Sequence, residues 1–204
     1  MSAKKRVAVL ISGRGSNMRA LIEAARAPDY PAQIALVLSN VETAAGLDFA
    51  RDAGIETIAV SHKKFATREA FDDFIDARLE LFEVEFVCLA GYMRILSDAF
   101  ARKWEGAMIN IHPSLLPAFP GTHVHERVLA AGVKTSGCTV HFVVPELDAG
   151  PIIAQATVPV LPGDTAGTLA ARVLEEEHAL YPAALKLVAQ GKVALRDGRA
   201  VVLE

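Results

Sequence analysis

What most limits the fold of this chain is an alternation of short, wholly apolar runs with longer stretches of helical periodicity. "RVAVLIS" reads as a strand and "NMRALIEAARA" as a helix stopped at Pro28. "IALVLSN", "ETIAV", "EFVCLAG" and "GAMIN" repeat the strand pattern. Between them stand "AAGLDFARDAG", ending at Gly54, "TREAFDDFIDARLELF" and "SDAFARKW". In the second of these, Phe71, Phe74, Ile75, Leu79 and Phe82 keep helical spacing; Ser97 caps the third. Strands that are apolar throughout must be covered on both faces, which a parallel sheet between helix layers provides. The expected fold class is therefore α/β: a mostly parallel twisted sheet with helices on both faces, of Rossmann-like type.

The pattern changes after Gly121. "HERVLAAG" is a short helix, but "KTSGCTVHFVVPELDAGPIIAQATVPV" holds two β runs with no helix between them, an antiparallel addition to the sheet. "DTAGTLAARVLEEEHALYPAALKLVAQG" closes the fold as a long helix, with Asp164 as N-cap and Gly191 as C-cap. "KVALRDGRAVVLE" is a terminal hairpin turning at "RDG". Without repeats or a linker, residues 1–204 are expected to form one domain.

Composition excludes several functions. Net charge is −3 and no run of Lys or Arg exceeds "KKR", so the clustered basic face that nucleic acid needs is missing. No apolar run is long enough to span a bilayer, and "MSAKKRVAVLISGRGSN" lacks a signal-peptide pattern, so a cytoplasmic protein is expected. Cys88 and Cys138 lie in strand-like runs and are expected to be buried and reduced.

Four stretches carry chemistry. "ISGRGSN", Ile11 to Asn17, joins the first strand to the first helix. Its glycines let backbone N–H groups approach an anion at a helix N-terminus. Met18 occupies the third position of a dinucleotide fingerprint and no Lys-Ser/Thr pair ends the loop, so neither that motif nor a P-loop is present. Gly15, Ser16 and Asn17 form either a cup for one phosphate or a plain capped turn. "LAGYMRILSDAF", at the end of the fourth strand, places Met93, Arg94, Ile95 and Leu96 where ligands bind in parallel sheets; alone it also reads as an ordinary connection.

"NIHPSLLPAFPG" sets an amide donor, Asn110, and an acid–base group, His112, on a loop stiffened by Pro113, Pro117 and Pro120. "PELDAGPI" carries Asp148, an ordinary turn residue unless it meets His112, where it would favour the imidazolium. Such a pair beside a neutral amide suits an oxyanion and its proton traffic. No G-x-S-x-G elbow is present, and H-x-H at His123 and His125 without a further ligand does not make a metal site, so no metal is expected. His141, alternating with Thr139 and Val143, either faces the site or is a structural polar group. One of Glu175, Glu176 and Glu177 could reach the site from the closing helix.

Together, "AVLISGRGSN", "LAGYMRIL", "NIHPSLLPAFPG" and "ELDAGPII" resemble the phosphoribosylglycinamide formyltransferase family, in order from about Val7 to Gln190. The resemblance implies formyl transfer from 10-formyltetrahydrofolate, as co-substrate, to the amine of glycinamide ribonucleotide. It implies a nucleotide-phosphate half over about 1–100, a catalytic and folate half over about 101–190 and a tail over 191–204. By it, Gly15, Ser16 and Asn17 hold the phosphate and Glu177 contacts the ribose. Asn110, His112 and Asp148 form the catalytic trio. Arg68, Met93, Arg94, Ile95 and Leu96, with Val144, Pro145, Glu146 and Leu147, surround the folate. The expected partners are these small molecules, on a monomer or homodimer. The rivals are a methionyl-tRNA formyltransferase, expected to add a C-terminal domain and a basic surface, and a formyltetrahydrofolate hydrolase, expected to add an N-terminal domain. A non-catalytic nucleotide-binding module is the rival from another class.

Overall fold

In the computed structural model, which describes residues 3–203, the alternation resolves into β1 (Lys5–Ile11), α1 (Ser16–Ala25), β2 (Ala32–Ser39), α2 (Gly46–Asp52) and β3 (Glu56–Ala59). Then come α3 (Arg68–Leu81), β4 (Phe86–Leu89), α4 (Asp98–Lys103), β5 (Met108–His112) and α5 (Val124–Ala130). The last part is β6 (Thr135–Phe142), β7 (Ile152–Pro159), α6 (Ala166–Ala189), β8 (Val193–Arg196) and β9 (Arg199–Val202). Met1, Ser2 and Glu204, included in the one-domain expectation, lie outside the described residues.

The main sheet runs β3-β2-β1-β4-β5-β6-β7. The first five strands are parallel, and β6 and β7 are antiparallel additions, as the sequence pattern predicts. β1 lies at the centre and alternates between two cores. Val7, Val9 and Ile11 pack with α1 and α6 on one face. Ala8 and Leu10 pack with Phe71, Ile75 and Leu79 of α3 on the other. Strand order reverses between β1 and β4, because the chain builds outward to β3 and then returns to the other side of β1. At such a reversal the connections leave in opposite directions and open a crevice at the carboxyl ends of the strands.

α6 fixes the height of that crevice. The Tyr181 hydroxyl, fully buried, lies 2.9 Å from Leu89 O and 3.1 Å from Ile109 O, at the ends of β4 and β5. The cap of α6 corrects one expectation. Thr165, not Asp164, is the N-cap: its side chain accepts the Thr168 N–H and its own N–H is taken by the Thr168 hydroxyl. Asp164 instead accepts the Leu161 N–H and pairs with Arg172 at 2.8 Å, tying the end of β7 to the helix. At the other end Gln190 is the cap, and Gly191, one residue on, takes φ 69°. The Gly191 and Lys192 amides return to Val188 O and Leu187 O, which is the Schellman arrangement.

The Ser97 cap is found as expected, with Ser97 Oγ accepting the Phe100 N–H. The terminal hairpin turns at Asp197 and Gly198, both with positive φ. Cys88 and Cys138 are buried and free. Replacing Thr165 by Ala should cost about 1 kcal/mol and lower Tm by about 2–4 °C. A calorimetric scan that finds no loss would contradict the assignment of the cap.

Candidate active site

The first connection at the crevice is shaped by backbone contact. Gly15 takes φ 69° as the N-cap of α1, without a side-chain cap. A Cβ there would lie 3.1 Å from Gly46 Cα, and a Cβ on Gly46 would lie 2.7 Å from Ile11 Cδ1. The Gly46 N–H bonds Gly13 O at 3.1 Å, so the loop is pressed onto the start of α2. The first turn of α1 then opens onto a cavity of about 250 Å³ lined by Ser12 to Asn17, Ala90, Gly91 and Met93. Unpaired first-turn amides and the helix dipole favour an anion there.

Asn17 is buried, and its Nδ2 donates to Glu177 Oε2 at 2.7 Å. Glu177 is buried while Glu175 and Glu176 are exposed, so the structure selects one of the three glutamates. Burial raises the Glu177 pKa, and the bond from Asn17 opposes that shift. A signal for Glu177 was present in the sequence: Leu169, Val173, Glu177, Tyr181 and Leu185 follow at intervals of four and are all buried.

The second centre is the end of β5. Asn110 and His112 are two residues apart and so share a face of the sheet. In the antiparallel register Asn110 stands opposite His141 and His112 opposite Thr139, which puts all four side chains together. Asn110 Nδ2 lies 3.2 Å from His141 Nε2, and His141 Nδ1 lies 2.8 Å from Phe142 O. One tautomer satisfies both contacts: Nδ1–H donates to the carbonyl, and Nε2 accepts from the amide. Asn110 thereby keeps one N–H free. Burial lowers the His141 pKa and His112 adds to the lowering; the Phe142 carbonyl and the Asp148 charge oppose it.

Asp148 comes from the loop between β6 and β7 and meets His112 with Oδ2 3.4 Å from Nδ1; the two side chains are 7 % and 6 % exposed. Its Oδ2 also accepts the Gly121 N–H at 2.7 Å, and Oδ1 lies 3.8 Å from His141 Nε2. His112 Nε2 lies 3.0 Å from Phe119 O, so each ring nitrogen faces an acceptor. The structure thus brings Asn110, His112 and Asp148 together and adds His141.

Sequence reasoning missed Thr139. Its hydroxyl donates to Ser114 O at 2.6 Å and accepts from Leu116 N–H and Gln155 Nε2. This single side chain fastens the proline-rich loop to the sheet.

Met93 and Ile95 are 72 % and 57 % exposed, Leu96 is buried, and the Arg94 guanidinium lies 5.1 Å from the centre of the Phe71 ring. Val144 and Pro145 are half-buried, and Glu146 and Leu147 are exposed, Leu147 at 62 %. Arg68 opens α3 and is exposed; among the described residues no hydrogen bond or ion pair joins it to the other site residues. No group of three or more His, Cys, Asp or Glu among the described residues is placed to hold a metal ion.

Residues 5–185 match the formyl transferase family. The chain belongs to that family. It is 57 % identical over 194 residues to the trifunctional purine biosynthetic protein adenosine-3 of Bos taurus, a match that covers 95 % of this chain and 19 % of that protein. The chain therefore spans about a fifth of that relative's length. It is 43 % identical to the phosphoribosylglycinamide formyltransferase of Escherichia coli K12, over 95 % of this chain and 92 % of that one. The crystal structure of glycinamide ribonucleotide transformylase 1 from Symbiobacterium toebii superposes with a TM-score of 0.96 at 43 % identity, over 100 % of this chain and 96 % of that one. That formyl transferase architecture includes the antiparallel addition that carries His141 and Asp148.

The lowered His141 pKa has a sign for stability. Just below the ordinary histidine value of about 6.5 the unfolded chain binds a proton that the folded chain refuses. The His141 contribution is therefore complete above that pH and declines as pH falls. Melting temperature should drop from pH 7.5 towards 5.5 more steeply in the native chain than in His141→Gln. Glu177 and Asp72, with pKa values raised by burial, push the slope the other way in both proteins, so the difference isolates His141. Equal slopes would contradict the assignment.

Proposed function

We propose that the chain transfers the formyl group of 10-formyltetrahydrofolate to the amine of 5'-phosphoribosylglycinamide, in purine biosynthesis in the cytoplasm. The observation that carries this reading is the buried His112–Asp148 pair beside a half-free amide. It sits at the end of β5, separated only by β4 from the glycine loop after β1. Two strand spacings, about 10 Å in all, suit a phosphate at one end of a substrate and a reacting amine at the other. The name of the Escherichia coli relative, phosphoribosylglycinamide formyltransferase, supports the acceptor and the group transferred, and that of the cattle relative supports the purine biosynthetic setting. Residues 1–204 act in this reading as one formyltransferase domain.

Gly15, Ser16 and Asn17 hold the nucleotide phosphate, and Glu177 contacts the ribose. The donor lies against Met93, Arg94, Ile95 and Leu96 on one side and Val144, Pro145, Glu146 and Leu147 on the other. Three large apolar side chains of these two segments, Met93, Ile95 and Leu147, stand more than half exposed and fit a flat heterocycle that would cover them. Arg68 offers an exposed cation to the donor's carboxylates.

The amine attacks the formyl carbon, the new C–N bond forms, and negative charge gathers on the formyl oxygen until the bond to the donor nitrogen breaks. Asn110 gives that oxygen its free N–H, the other being held by His141. His112, as imidazolium, turns Nε2–H from the Phe119 carbonyl to the same oxygen, while Nδ1–H stays with Asp148. Asp148 holds the ring in place through Nδ1 and orders the water through which the amine's surplus proton leaves and the donor nitrogen gains one. The Asn110 N–H is set before the charge appears, which is where such catalysis gains most.

An absorbance assay of folate deformylation, with and without the nucleotide, tests the reading. Deformylation that requires the nucleotide and yields formylated product is expected. Deformylation without it would make the chain a hydrolase. His112→Ala should lower kcat by about 10²–10⁴-fold while the two KM values move much less. A comparable loss in substrate affinity would assign His112 to binding instead.

A further inference from the structure

Between Ala90, whose N–H bonds Leu10 O, and Ser97, whose N–H bonds Asp72 Oδ2 at 2.6 Å, lie six residues outside any helix or strand. Among the described residues only one of their backbone groups has a hydrogen-bond partner within the protein. It is the Met93 N–H, which donates to Ser12 Oγ at 2.7 Å. Ser12 is the first residue beyond β1, on the far side of the crevice.

The direction of this bond is fixed from behind. A serine hydroxyl has one proton. Ser12 donates it to Asn40 Oδ1 at 2.5 Å, which leaves its lone pairs for Met93. Asn40 is 3 % exposed and follows β2 directly. Its Nδ2 lies 3.4 Å from His62 Nδ1, consistent with the amide oxygen facing Ser12. Next to it, Ser39 Oγ bonds both the N–H and the carbonyl of Val41, holding the chain as it leaves β2. A row of groups thus runs from the ends of β2 and β1 to the middle of the 91–96 segment.

We infer that Ser12 is a positioning residue for the formyl donor: oriented by Asn40, it holds Met93 so that the free backbone groups of 91–96 stand ready for the donor's heterocycle. The inference rests on the functional reading above, which places the donor against this segment. Ser12 does not act on the reacting atoms. Its effect should fall on the donor and spare the nucleotide, although its own loop is the one that cups the phosphate. A purely structural role would weaken both sides.

The test combines steady-state kinetics with amide hydrogen exchange on the whole chain. Ser12→Ala should raise KM for the formyl donor about tenfold, the loss of one neutral hydrogen bond. KM for the nucleotide should change less than about twofold, kcat should fall less than KM rises, and the Met93 amide should exchange faster. Ser12→Thr, which keeps the hydroxyl, should stay near the native values. Asn40→Ala should move the donor KM the same way by a smaller factor and adds a second route should Ser12→Ala fold poorly. In Ser12→Ala/Asn40→Ala the effects should not add, because both act on one bond. Faster Met93 exchange with an unchanged donor KM would overturn the inference and leave the functional reading standing, as would equal rises in both KM values. A native chain that transfers no formyl group would remove the functional reading and this inference with it.

Discussion

The site depends on the burial of one carboxylate. Asp148 brings a charge almost out of contact with water, and a buried charge is tolerable only when donors surround it. The Gly121 amide and the His112 ring meet Oδ2, while His141 Nε2, which accepts from Asn110, stands 3.8 Å from Oδ1 without donating to it. The two donors belong to different pieces of chain, the end of the proline-rich loop and the tip of β5, and Asp148 itself to the loop after β6. Satisfying Asp148 therefore sets the relative positions of all three. The same residue that orients the imidazole also decides where the loop after β5 must end.

Rigidity in that loop has an origin beyond its prolines. Thr139 uses its hydroxyl three times, on Ser114 O, Leu116 N–H and Gln155, and Ser114 in turn donates to Ala118 O at 2.6 Å. The prolines reduce the freedom of the unfolded loop. The hydroxyl network chooses which of the remaining shapes is kept.

The layered architecture was legible because periodicity is local. Fully apolar strands demanded cover on both faces, and the missing helix between β6 and β7 announced antiparallel pairing. The trio was legible as residue types at the ends of strands, and the resemblance supplied their union. What local pattern could not decide were choices between neighbours. Asp164 and Thr165 can both cap a helix, and the contact of Asp164 with Arg172 leaves the cap to Thr165. Glu177 differs from Glu175 and Glu176 only in facing the core side of α6, a distinction visible in four-residue spacing once Tyr181 is taken as buried. Thr139 was out of reach, since its partners lie 16 to 25 residues away and join only when β5, β6 and β7 are paired.

The contact between Gly15 and Gly46 extends the design to a part of the molecule with no chemistry of its own. The cup is moulded by the backbone of α2, like a casting against its form, and not by the side chains of the loop. Arg14 is exposed, and only its carbonyl would meet a side chain added at Gly46. Relatives with this loop should thus be free to change the residue at 14 as their surroundings require. Neither glycine carries the same freedom, and drift at position 46, well away from the reacting centre, would be felt first as a misshapen anion site.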